Sequence, residues 1–115
     1  MARYTGFFVI ATRIDELRLM LIEMLEPCNL ELMYETPSSI ICREFIGQVP
    51  VPKLVTVEVV FDTATSTESE TKMTLVIKNE ELPLQVNNHC RQMFELISQL
   101  IIDNRHWELL ESIAL

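Results

Sequence analysis

Glycine is almost missing from this chain: only Gly6 and Gly47 occur in 115 residues. Two isolated glycines cannot build a dinucleotide fingerprint or a P-loop, both of which need several at fixed spacing. Neither GxSxG nor HExxH occurs. Cysteine is also sparse. Cys28, Cys42 and Cys90 are odd in number and none has CxxC spacing, which excludes a paired disulfide framework and fits a reducing compartment. Long apolar runs are absent as well. Gly6 to Ala11 is too short for a signal core and wrongly flanked, and no stretch approaches the roughly 18 apolar residues of a membrane span. A cytoplasmic location with no membrane partner is therefore expected. Positive charge is scarce: nine Lys and Arg stand against 17 Asp and Glu, for a net charge of −8. The nine are scattered without a run, so a nucleic-acid partner is not expected.

What is present is aliphatic. Hydrophobic residues make up 49% and aromatics only 7%, so the core is built from Leu, Ile, Val and Met. A chain of this length forms a single domain, residues 1–115, with one core. The apolar content exceeds what one small core needs and points to a buried partner surface.

Periodicity sets the order of elements. Tyr4 to Ala11 is β-branched and aromatic, a strand. Thr12 is a candidate N-cap, with Asp15 three residues on in a weak capping box. The helix that follows carries Ile14, Leu17, Leu21, Met24 and Leu25 on one stripe and ends before Pro27. Leu19, Met20 and Ile22 lie off that stripe, so a second cover is expected. Leu30 to Glu35 and Ile40 to Ile46 read as a hairpin across Thr36-Pro37-Ser38-Ser39. Leu54 to Asp62 places Val55, Val57, Val59 and Phe61 on one face, and Thr71 to Lys78 does the same with Met73, Leu75 and Ile77. These two strands bracket a polar loop and pair antiparallel. A helix starts near Asn88, is interrupted at Asp103-Asn104, and continues in helical pattern through Trp107, Leu109, Leu110 and Ile113. The expected class is α+β, in the order β-α-β-β-β-β-α: a curved antiparallel sheet with a long C-terminal helix packed on one face. This order resembles the helix-grip and TATA-box-binding-protein-like arrangement, a likeness that brings no function with it.

Chemically capable side chains gather in Asn79 to Cys90, NEELPLQVNNHC. His89-Cys90 could suggest a metal site, but zinc needs three or four ligands, and Cys28, Cys42 and His106 are isolated. Neighbours at a helix start also point about 100° apart. Glu80 and Glu81 with Glu58 or Asp62 have no spacing that makes them converge for acid–base work. Asn79, Asn87 and Asn88 suit turns and a helix start. No catalytic, cofactor-binding or metal residue is therefore assigned. The residues expected to recognise a partner are Asn79, Glu80, Glu81, Gln85, Asn87 and His89 in this connection, with Met20 on the first helix and Trp107, an interface type of residue.

The run Val57 to Asp62, with Lys78 to Gln85 and Asn87 to Cys90, resembles small cyanobacterial-type proteins of unassigned function. The resemblance implies a cytosolic bacterial protein and carries over no site residue. The expected function is a non-enzymatic protein-interaction or assembly module, a homodimer by preference. The alternative is a domain binding a small apolar ligand between the sheet and the C-terminal helix.

Overall fold

Strand alternation in this sequence resolves into one sheet. In the computed structural model, which describes residues 1–83 and 87–115, the elements in chain order are β1 (Ala2–Ile10), α1 (Ile14–Leu25), β2 (Leu30–Thr36), β3 (Ser39–Glu44), β4 (Thr56–Phe61), β5 (Thr71–Asn79), α2 (His89–Asp103) and β6 (Leu109–Ala114). The six strands form a single sheet in the order β2-β3-β4-β5-β1-β6, and every pair is antiparallel. The class is α+β.

Register explains the core. Phe8 and Phe61 both stand opposite Met73. Gly6 and Val59 stand opposite Leu75, and Val59 opposite Ile40. These side chains share one face, where they meet Leu17, Leu21 and Leu25 of α1 and Cys90, Met93, Ile97 and Ile101 of α2 in one buried cluster. Both helices therefore cover the same side. Space at Gly6 is tight: a Cβ would come within 3.1 Å of the Phe8 ring and 3.2 Å of the Phe94 ring. Phe94 of α2 packs beside Tyr4 with ring centroids 5.8 Å apart.

Three expectations need correcting. The final segment is not a helical continuation: Leu109–Ala114 is strand β6, paired with β1. Asn104 takes the backbone N–H of His106 in a turn, and Trp107 folds back so that its Nε1 donates to the carbonyl of Ile101. The chain is thereby redirected, and Ala11 donates to Glu108 to begin a new ladder. Apolar positions that fit a helix locally are taken by an unfilled sheet edge. The element order thus ends in a strand, so α2 lies within the chain rather than at its C-terminus. Helix α1 also lacks a side-chain cap. Its N-cap is Arg13, and Thr12 instead bonds Glu16 through its hydroxyl.

Arg18, intermediate in exposure on α1, fixes that helix to the β2–β3 turn. It donates to the carbonyls of Thr36 and Pro37, lies 3.7 Å from a Glu35 carboxylate oxygen, and sits 5.2 Å from the centre of the Phe61 ring.

Candidate functional site

The connection between β5 and α2 is built around a buried carboxylate. Glu81 is 4% exposed. Its Oε1 accepts from Asn79 Nδ2 at 2.6 Å and from the Cys90 N–H at 2.9 Å, while Oε2 accepts from the His89 N–H at 3.2 Å. Asn88 is the N-cap, its side chain accepting from the Arg91 N–H at 2.9 Å. Together Glu81 and Asn88 satisfy the N–H groups of His89, Cys90 and Arg91 at the helix start, which otherwise lack partners. Burial pushes the Glu81 pKa up. The hydrogen bonds from Asn79, Cys90 and His89 and the charge of Lys53 outweigh it, and the carboxyl lies below its ordinary value. A negative charge at a helix N-terminus is favourable.

His89 and Cys90 diverge as their spacing requires. His89 Nε2 lies 2.9 Å from the carboxylate of Glu44, itself buried on β3 and accepting the Val55 N–H. Cys90 points into the core toward the carbonyl of Ile77. Burial and then the nearby Glu81 charge push its thiol up to about 12, so it stays protonated at neutral pH and supplies no thiolate. Burial likewise raises Cys42 to about 11. Among the described residues, no group of three or more His, Cys, Asp or Glu side chains is placed to hold a metal ion.

The residues singled out from the sequence part company here. Asn79 and Glu81 are buried and bonded to one another. Trp107 is buried against the preceding helix α2, its Nε1 donating to the Ile101 carbonyl. Met20 is half-buried against the core, and His89 is engaged with Glu44. Glu80 and Asn87 are exposed, Asn87 with a positive φ of 60°. Gln85 lies outside the described residues.

A second locus is more open. β2 is an edge strand, and Leu32, Met33 and Tyr34 along it are exposed at 41%, 45% and 66%. Phe45 and Ile46, just past β3, are exposed too. Between α1 and β2 runs a groove of about 350 Å³, lined by Ile22, Leu25, Leu30, Leu32, Cys42 and Phe45, with Glu26 and Glu31 beside them. Leu19, three residues before Ile22 and on the same side of the helix, is 65% exposed. The sequence signalled part of this locus through the apolar residues off the α1 stripe. It did not signal Phe45, Ile46 or the free edge, because which strand lies at an edge depends on pairing of distant segments.

Comparison with family models, with curated proteins and with solved structures returns no match to this chain. Among the described residues, no helix is long and apolar enough to cross a membrane.

Proposed function

We propose that this protein is a non-enzymatic interaction module that receives a segment of another protein in the α1–β2 groove. The observation that carries the reading is the apolar groove beside an edge strand, with the exposed Leu32 and Phe45 among its lining residues. Single exposed apolar residues are ordinary, but an apolar concavity with exposed apolar residues in its lining is the shape of a contact site. The partner's chemistry follows from the rim. Glu26 and Glu31 line the groove, which favours an apolar anchor residue flanked by Lys or Arg. A second copy of this chain, with its net charge of −8, supplies that basic flank less well. The register shift at Met33 and the acidic flanks of β2 discourage indiscriminate edge pairing, leaving side-chain docking as the mode of recognition.

Selection of binders from a displayed peptide library tests this. The expected consensus is one or two large apolar residues with Lys or Arg nearby. Leu32→Glu should weaken the selected peptides at least about tenfold, as expected for an apolar contact replaced by a buried charge. Peptides that lack basic residues, or that bind Leu32→Glu equally well, would overturn the reading. The groove volume also suits a small apolar ligand. Such a ligand would bind with little dependence on salt, whereas the peptide would weaken as salt rises. Light scattering that gives a dimer which Leu32→Glu dissociates would assign the groove to a second copy instead.

A further inference from the structure

Basic residues that are dispersed in the sequence are brought into one row by the sheet. On the neighbouring strands β1, β5, β4 and β3, Arg3 stands opposite Lys78, Lys78 opposite Thr56, and Thr56 opposite Arg43. Side chains alternate along a strand, and the core residues Tyr4, Ile77, Val57 and Cys42 are the next positions along. The row therefore faces away from both helices. Adjacent strands lie about 4.8 Å apart, so Lys78 and Arg43 flank Thr56 at roughly that distance on either side, and both are long enough to reach over it.

Two features make this row unusual in an acidic chain. Arg3 and Lys78 are like charges directly opposite each other, an arrangement that destabilises a strand pair. The ion pairs among the described residues are made by Arg13, Arg18, His89 and Arg91, and none involves Arg3, Lys78 or Arg43, although Glu31 on β2 continues the row opposite Arg43. The row also borders a cavity of about 360 Å³. Lys78, Thr56 and Arg43 line it together with Met1, Val51 and Pro52, and the exposed Glu80 lines it too. It shares no lining residue with the α1–β2 groove.

We infer that this cavity binds a small organic anion. Its phosphate or carboxylate group sits over Thr56 between Lys78 and Arg43, and its apolar body lies against Val51 and Pro52. The anion offsets the repulsion of the directly opposed Arg3 and Lys78, and the Thr56 hydroxyl donates a hydrogen bond to it. The inference is independent of the peptide-binding reading, since the two sites use different residues.

Titration of the full chain, followed by backbone amide NMR at low ionic strength, tests it. The probes are inorganic phosphate, phenyl phosphate and benzoate. Saturable shifts are expected at Thr56, Lys78 and Arg43 with phenyl phosphate or benzoate, and the tighter of the two names the charged group. Inorganic phosphate, lacking an apolar body, should bind at least about fivefold more weakly than phenyl phosphate. Lys78→Gln and Arg43→Gln should each weaken binding about tenfold without lowering the unfolding temperature, and Arg3→Gln should weaken it less. Shifts that stay linear in all three probes, or that survive both Gln substitutions, would overturn the assignment.

Discussion

Glu81 keeps its charge while buried because both carboxylate oxygens accept hydrogen bonds. Asn79 supplies one, and the first backbone N–H groups of α2 supply two more. The consequence is a defined pH dependence. Its folded-state pKa is depressed below the ordinary Glu value of about 4.3. Its contribution is therefore complete above about pH 4.3 and disappears as pH falls through the lower folded value. Glu81→Gln should cost about 1–2 kcal/mol at neutral pH and flatten the loss of stability in acid, measured by urea unfolding at a series of pH values. Some acid dependence should remain. Asp62 is also held low by its hydrogen bonds to Thr65, aided by Ala64 and the Lys72 charge. An unchanged pH profile in Glu81→Gln would show that the carboxylate is not the group responsible.

At the scale of elements, α1 depends on a side chain rather than a cap. Arg18 holds the helix on the β2–β3 turn through two carbonyls, a carboxylate and an aromatic face. Arg18→Ala should destabilise the protein by about 2 kcal/mol in chemical denaturation. Arg18→Lys should recover less than half of that, because an ammonium cannot reproduce the planar fork. Individual elements were largely legible in the sequence. Val57, Val59 and Phe61 alternate because one face of β4 is buried, and Asn88 reads as the start of α2 because a helix needs an acceptor there. Arg18 was not legible, since its partners belong to a turn brought close only by tertiary folding. The role of Glu81 was hidden for another reason: two of its three donors are backbone N–H groups, which leave no mark in residue type. Segment 107–114 misled because Trp107, Leu110 and Ile113 also fit helical spacing, and an open sheet edge outweighed that preference.

Across the whole molecule, the sheet is one-sided. Two helices fill one face, and the other face and the two edges meet solvent. β6 completes one edge by covering β1, whose residues Phe7 to Ile10 are strongly β-forming. Removing residues 108–115 should uncover that strand, lower the unfolding temperature by at least about 5 °C and produce light scattering on heating, as expected of a long apolar edge. Retention of the full melting temperature would show that β6 contributes little. The overall α+β class followed from the sequence alone, whereas the strand order did not, because local periodicity says which face is buried but not which strands are neighbours. The same gap hid the basic row. Arg3, Arg43 and Lys78 are far apart in the chain, and only the register sets them side by side.

The position of β1 also bears on how the chain reaches this state. Gly6 pairs with Leu75 on one side and Ala114 on the other. The first strand of the sheet is thus flanked by two of the later ones. The meander β2-β3-β4-β5 joins neighbours and closes short loops early, but β1 must remain unpaired until residues 71–79 are made, and half-paired until 109–114 follow. Such distant pairings slow folding, and a waiting apolar strand is open to wrong partners. The step that joins β1 to β5 and β6 is therefore where folding should be slowest and most vulnerable.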